Sequence, residues 1–152
     1  MIYVSRDIPD EDLIHVVRDW IDILSQKRYD EFFQALGYLM GGESASADWI
    51  ESDLSQYRSD LYPGISEFEV TNWRIAQDGY PNPIEEVVWY QPNETRLAGA
   101  VTFTLPLNGR WSDATAEFVL FETNSPEGFL MRLEEICIPI RGEQEAESGP
   151  RE

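Results

Sequence analysis

The chain has 152 residues, enough for one domain with a substantial hydrophobic core. It carries 29 acidic residues against 11 Lys and Arg, a formal net charge of −18. This charge argues against binding to nucleic acid or anionic membranes, because contact with phosphates needs Lys and Arg to displace counterions. The negative charge favours basic partners, because electrostatic attraction would raise their rate of association. Solubility alone also accounts for an acidic surface, so charge does not choose the function.

An amphipathic helix is predicted in DIPDEDLIHVVRDWIDILSQ. Pro9 suits its first turn, and the acids at 10–12 suit the positive end of the helix dipole. The start of the chain has no basic end followed by a long apolar run, and no stretch approaches the roughly 18 apolar residues of a membrane span. A cytoplasmic protein without a signal peptide is therefore expected. The apolar stripe of this helix recurs at spacings of three and four residues and comprises Leu13, Val16, Val17, Trp20, Ile23 and Leu24.

Two further helices are predicted. In KRYDEFFQALG, the side chains of Phe32, Phe33 and Leu36 are expected to point inward, and Gly37 is expected to end the helix. The third helix, SADWIESDLSQYRSDL, is predicted to end at the YPG turn. Its apolar face would comprise Ile50, Leu54, Tyr57 and Leu61.

The second half predicts an antiparallel sheet, and Asn108-Gly109 is a strong signal for a two-residue hairpin turn. The whole would be one α+β domain over residues 1–140, with helices on a curved sheet. The acidic tail at 141–152 has almost no apolar residue to anchor it and is expected to be disordered. Strands are predicted at 67–76, 84–91, 97–107, 115–122 and in FLMRLEEICI.

Acidic residues concentrate between Glu43 and Glu69, where seven acids accompany one base, Arg58. An exposed Trp49 flanked by acids would suit an interface with a basic partner, with the aromatic ring as a hot spot. The alternative is a solvated helix face with Trp49 buried. The candidate partner-binding residues are Glu43, Asp48, Trp49, Glu51, Asp53 and Asp60.

The hairpin sequence NGRWSDATAEF places Arg110, Trp111, Ser112 and Asp113 in a row. These polar groups would either grip a ligand or partner, or hold the sheet at a corner. In the second interpretation, Trp111 packs inward while Ser112 and Asp113 bond backbone amides at a β-bulge. The sequence leaves both interpretations open.

No catalytic, metal-binding or cofactor-binding motif stands out. His15 is the only histidine, and acids one turn away on the same helix suit surface pairing better than general-base chemistry. Cys137, the only cysteine, lies in an apolar strand pattern and is expected to be a small buried hydrophobe. Polar groups for a cavity between helices and sheet would come from Arg74, Tyr90, Glu117 and Arg132.

Two stretches carry resemblances to known families. WIDILSQKRYDEFFQAL resembles the opening of NTF2-like (cystatin-like cone) domains, in which two helices precede the sheet. The stretch TLPLNGRWSDATAEFVLFE through FLMRLEEICIP resembles small acidic bacterial domains that share a PL…GRxSDxT hairpin. Domains of the NTF2-like fold include enzymes, ligand carriers and toxin-immunity proteins, so the resemblance implies a cone fold without choosing a task.

The sequence thus favours a non-catalytic, acidic protein-binding domain without a cofactor. Its most concrete form is an immunity-type inhibitor that occludes a basic toxin or nuclease. The alternative is a pocket protein, either an enzyme or a small-ligand binder, that works inside the cone. Inward-facing polar residues around a cavity would favour the pocket, whereas a filled interior would favour the surface. Pairing of two copies through the outer sheet face is a further possibility.

Overall fold

The structure is a computed structural model that describes residues 1–78 and 82–139. The described residues have an α+β architecture, as expected. The predicted tail at 141–152 lies outside them. Along the chain the elements are β1 (Ile2–Val4), α1 (Asp10–Ser25), α2 (Tyr29–Leu36), a 3₁₀ segment (Leu39–Ser44), α3 (Ala47–Ser55), a second 3₁₀ segment (Trp73–Ile75), β2 (Glu85–Trp89), β3 (Leu97–Leu107), β4 (Arg110–Phe121) and β5 (Phe129–Cys137).

The five strands form one open antiparallel sheet in the order β1-β5-β4-β3-β2. Its centre is the long β3–β4 hairpin. The backbone φ angles of Asn108 (50°) and Gly109 (82°) are both positive, as the predicted two-residue turn requires. The β3–β4 register shifts between Thr104 and Pro106, which marks a bulge near the turn.

The helices cover one face of this sheet, and the core lies between them. Val101 on β3 stands opposite Phe118 on β4, which stands opposite Leu133 on β5, so one row of side chains crosses the sheet. All three are fully buried, together with Phe32 from α2 and Ile50 from α3. Burial of each such side chain contributes about 1.5–3 kcal/mol, and these layers therefore hold the helices on the sheet.

Helix α1 forms where predicted, and its first turn carries the three expected acids. Its buried face is rotated slightly from the predicted stripe, because Ile14 and Ile21 are buried while Val16, Trp20 and Ile23 are only partly so. Helix α2 buries Phe32 and Leu36 and ends before Gly37, as predicted, whereas Phe33, also expected to point inward, is only partly buried. The buried residues of α1 are Leu13, Ile14, Val17, Ile21 and Leu24.

The third helix is shorter than predicted. It ends at Ser55, and the guanidinium of Arg58 donates to the carbonyl oxygens of Ser55 and Tyr57. That side chain satisfies carbonyls which a longer helix would have paired internally. Leu61 therefore does not share the helix face with Leu54, and it is 53% exposed.

The predicted strand at 67–76 is wrong. The backbone of this region pairs with the β3–β4 hairpin through isolated bridges at Val70 and Gln77, and the side chains of Asn108 and Thr71 add hydrogen bonds between this region and the same hairpin. The side chain of Asn72 accepts a hydrogen bond from the amide two residues on, and this contact starts a 3₁₀ turn at Trp73 instead of a strand. Strand β1, which the sequence did not predict, pairs with β5 at the edge of the sheet.

Candidate functional site

Two residues of the hairpin motif face inward. The ring of Trp111 is partly buried and lies edge-on to Phe103, with 6.1 Å between ring centroids. Ser112 is 8% exposed, and its Oγ donates to the carbonyl of Leu105 at 2.8 Å and accepts from the amide of Ala114 at 3.1 Å. A buried hydroxyl bonded on both sides at a bulge stabilises the hairpin, which agrees with the structural interpretation of these two residues.

The other two residues of the motif connect the hairpin to the segment after α3. Oδ1 of Asp113 accepts a 2.6 Å hydrogen bond from the Tyr57 hydroxyl. Burial, reinforced by this bond, raises the pKa of Tyr57 to about 12. The exposed guanidinium of Arg110 lies 5.8 Å from the centre of the Tyr62 ring. The cavity beside them measures only about 70 Å³, so this corner offers little room for a ligand.

Trp49 lines an open groove between α3, the preceding 3₁₀ segment and the end of β5. The alternative interpretation placed this side chain in the core, but it is 42% exposed, and the neighbouring Met40 is 63% exposed. The groove has a volume of about 360 Å³. We call it the Trp49 groove and define it by Tyr38, Met40, Trp49, Asp53, Glu135 and Ile138.

Tyr38 fixes the floor of the Trp49 groove. Its hydroxyl donates to Oδ2 of Asp53 at 2.5 Å and accepts from the amide of Ile136 at 3.1 Å. The ring is only 3% exposed, and burial together with the Asp53 bond raises the pKa of Tyr38. The Tyr38 hydroxyl therefore joins α3 to the last residues of β5 and sets the position of the Asp53 carboxylate beside Trp49.

Glu51 lies on the opposite flank of α3. It lines a separate cavity of about 620 Å³ together with Lys27, Glu67 and Glu69. Nζ of Lys27 lies 2.7 Å from the Glu69 carboxylate, and this contact raises the pKa of the ammonium. Glu51 and Asp53 of the predicted interface thus lie on two separate surfaces.

The remaining predicted acids, Glu43, Asp48 and Asp60, are exposed and line neither of these two cavities. Of the six predicted partner-binding residues, only Trp49 and Asp53 line the same groove. Sequence reasoning missed Met40 and Glu135, which complete it. A methionine directly before the Gly-Gly break was one available signal. The position of Glu135 follows only from the pairing of β5.

The polar residues that the sequence suggested for a cavity between helices and sheet do not line a common cavity among the described residues. Glu117 lies opposite Thr102 on the outer face and accepts a 2.9 Å hydrogen bond from it. Arg132, also on a strand, donates from Nε to the carbonyl of Leu36 at 2.7 Å, and Tyr90 is 44% exposed. The helix–sheet interior is instead lined by the buried apolar core.

The other candidate groups show no catalytic arrangement. Arg74 pairs with Asp22 on α1, and His15 is exposed. Cys137 is half-buried in the Trp49 groove, where burial raises the pKa of its thiol to about 11. Within residues 1–78 and 82–139, no three His, Cys, Asp or Glu side chains are grouped as a metal site.

Comparison of the chain with family models, with curated proteins and with solved structures found no match. Across the described ranges, none of the helices is both long and apolar enough to cross a membrane.

Proposed function

We propose that this chain is a non-catalytic protein-binding domain whose Trp49 groove receives a basic segment of a partner protein. The observation that carries the proposal is the exposure of Trp49 and Met40 beside Asp53 and Glu135. The aliphatic stem of a Lys or Arg packs well on an indole ring, and its charge is attracted to the ring face and to carboxylates. Methionine adapts its shape to such an occupant.

The net charge of the chain supports the same kind of partner. At −18, the surface attracts cationic proteins over a distance comparable to the Debye length and raises their association rate. Complementary charge contributes mainly to on-rate and specificity, whereas a central aromatic anchor slows dissociation. The Trp49 groove combines both features.

The most concrete form of the proposal is an immunity-type inhibitor that covers the basic surface of a toxin, such as a nuclease. The carboxylates would occupy the Lys and Arg that otherwise hold nucleic acid. An NTF2-like assignment is part of the same proposal. Helices α1, α2 and α3, which come before strands β2 to β5 of the antiparallel sheet, support it.

The alternative, a pocket protein working inside a cone, is less well supported. The outward direction of Glu117 and the apolar filling of the interior leave little polar chemistry between the helices and the sheet. Self-association through the outer sheet face stays a prediction, which sedimentation equilibrium would check.

Affinity capture from the native host lysate tests the proposal directly. Wild-type protein, Trp49→Ala and Tyr90→Ala serve as baits, because Tyr90 is an aromatic of similar exposure away from the Trp49 groove. The expected result is a basic protein retained by wild type and Tyr90→Ala but lost with Trp49→Ala. Equal retention by all three baits would contradict the proposal that the partner binds at the Trp49 groove.

Association kinetics with the captured partner separate the groove from total charge. Glu135→Gln and Glu51→Gln each remove one negative charge, but only Glu135 lines the Trp49 groove. We expect Glu135→Gln to slow association more and to reduce its salt dependence. If both variants behave alike, the net charge alone drives binding. In a separate test, survival of cells that co-express this chain with a partner that is toxic when expressed alone would identify the inhibitor form.

A further inference from the structure

A second cavity, of about 610 Å³, lies at the other end of the sheet, where β2 ends and β3 and β5 begin. The Trp49 groove lies at the opposite end of β5. The volume of this second cavity falls within the range of roughly 300–1,000 Å³ typical of small-molecule sites. We call it the Trp89 cavity and define it by Ile8, Trp89, Arg96, Leu97, Ala98 and Phe129.

The aromatic wall of the Trp89 cavity is held in place without being covered. Nε1 of Trp89 donates to Oδ1 of Asp10 at 2.7 Å, and the ring centroid lies 6.1 Å from that of Phe129. The indole also lies close over Gly99, where an added Cβ would come within 2.9 Å of it. Yet Trp89 remains 39% exposed. An apolar face fixed in this way loses little entropy when a ligand covers it.

The polar end of the cavity is provided by Arg96. Its Nε donates to the backbone carbonyl of Glu122 at 2.7 Å. The carboxylate of Glu122 is engaged by Arg6, whose guanidinium reaches both oxygens, at 2.5 and 2.7 Å. Within the described residues, Nε is the guanidinium nitrogen of Arg96 with a hydrogen bond, and the Glu122 carboxylate also interacts with Arg96 electrostatically. Two adjacent N–H donors on a guanidinium match the two oxygens of a carboxylate.

The backbone around Arg96 is ordered by its neighbours. The residue adopts a positive φ of 60°, which a side-chain-bearing residue rarely adopts. The Asn93 side chain holds this turn, since it donates to the carbonyl of Leu97 at 2.8 Å and accepts from the Thr95 amide at 3.1 Å. The carbonyl of Arg96 accepts a 2.8 Å bond from the Glu122 amide. The guanidinium is thus anchored at its base.

We propose that the Trp89 cavity binds a small amphipathic carboxylate. Its planar apolar body lies against Trp89 and Phe129, and its single carboxylate bonds the terminal nitrogens of Arg96. This site is independent of the proposed partner interface. A net charge of −18 repels anions from generic sites on this surface, so preference for an anion here has to come from the local guanidinium groups, of which that of Arg6 is already engaged by Glu122.

Three probes with the same indole ring and different charge test the proposal: indole-3-acetate, the neutral tryptophol and the cationic tryptamine. Titrations are followed by two-dimensional ¹H–¹⁵N NMR, in which Trp89 gives one of five indole signals. We expect indole-3-acetate to shift the Trp89 indole and the Arg96 amide. It should bind at least about tenfold more tightly than tryptamine, which corresponds to about one charge-assisted hydrogen bond.

Variants locate the anion preference. Arg96→Gln should weaken the binding of indole-3-acetate about tenfold. Arg96→Lys, which keeps the charge, should retain part of the preference for the anionic probe over the cationic one. Arg110→Gln is the matched control, because it removes one charge at the opposite end of the β3–β4 hairpin. Tighter binding of tryptamine, equal loss with Arg96→Gln and Arg110→Gln, or no shift of the Trp89 indole with any probe at millimolar concentration would overturn the proposal.

Discussion

The hydroxyl of Tyr57 donates a 2.6 Å hydrogen bond to Oδ1 of Asp113, across 56 residues of sequence. Tyr57 follows α3 and is 3% exposed, while Asp113 lies on β4 next to the hairpin turn. The ring of Tyr57 also contacts Phe68 edge-on, at 4.8 Å between centroids. This pair therefore fastens the irregular segment after α3 to the sheet.

We expect Tyr57→Phe to lower the free energy of unfolding by about 1–3 kcal/mol, because the ring stays while a charge-assisted hydrogen bond to a carboxylate is lost. Urea unfolding measures this change. Tyr90→Phe, at an exposed ring, should change stability by less than about 0.5 kcal/mol. Equal effects of the two variants would show that the bond contributes nothing beyond the packing of the ring.

The same bond predicts an alkaline effect. The pKa of Tyr57 in the folded protein is raised from its ordinary value of 10.0 to about 12 by burial and by Asp113. Its stabilising contribution is full below pH 10 and is lost as pH rises toward 12, because the unfolded chain releases the proton first. The free energy of unfolding, measured at several pH values, should fall between pH 10 and 12 more steeply in wild type than in Tyr57→Phe.

Tyr38 makes a comparable connection at the Trp49 groove, and removal of its hydroxyl should leave one particular amide without its acceptor. In Tyr38→Phe, the amide of Ile136 loses its acceptor and the Asp53 carboxylate loses a donor. We expect a loss of about 1–3 kcal/mol and faster hydrogen exchange at Ile136 than at the other β5 amides. Unchanged exchange at Ile136 would mean that this amide is protected by the sheet alone.

Acid stability depends in part on Glu122. Hydrogen bonds from Arg6, and secondly from the amide of Asn124, lower the pKa of this carboxyl from 4.5 to about 2. A depressed carboxyl pKa stabilises the fold above pH 4.5, and the contribution is lost as pH falls toward 2. Carboxyl ¹³C titration should show Glu122 returning toward 4.5 in Arg6→Gln. If its pKa stays near 2, the Asn124 amide is the dominant cause.

Regular elements of this fold could be predicted from the sequence because their signals are local. Strand β3 has the predicted bounds, 97–107, and the hairpin turn at Asn108 has the predicted backbone angles. The failures involve contacts that no local pattern contains. Strand β1 is only three residues long and exists through its pairing with β5. The segment at 67–76 has the composition of a strand, but the side chain of Asn72 diverts its backbone.

The candidate site was only partly predictable for the same reason. The spacing of Trp49 and of the acid one turn later, Asp53, could be read from the periodicity of α3, whereas the sequence left open whether Trp49 is exposed or buried. Glu51, two residues further along than Trp49, faces the other flank because a helix turns by about 100° per residue. Glu135 joins the Trp49 groove through the packing of β5 against the helices, which the sequence does not show.

Gly128 provides the sharpest test of strand β1. Its φ of 121° is a conformation that side-chain-bearing residues rarely adopt, and an added Cβ would lie 2.0 Å from the carbonyl oxygen of Val4. Because the clash is with backbone, β1 has to shift. We expect Gly128→Ala to cost about 3 kcal/mol or more and to remove the hydrogen-exchange protection of β1. Gly64→Ala is the matched control, since a Cβ there meets no atom within 4 Å. Near-wild-type stability of Gly128→Ala would mean that β1 contributes little to holding the sheet.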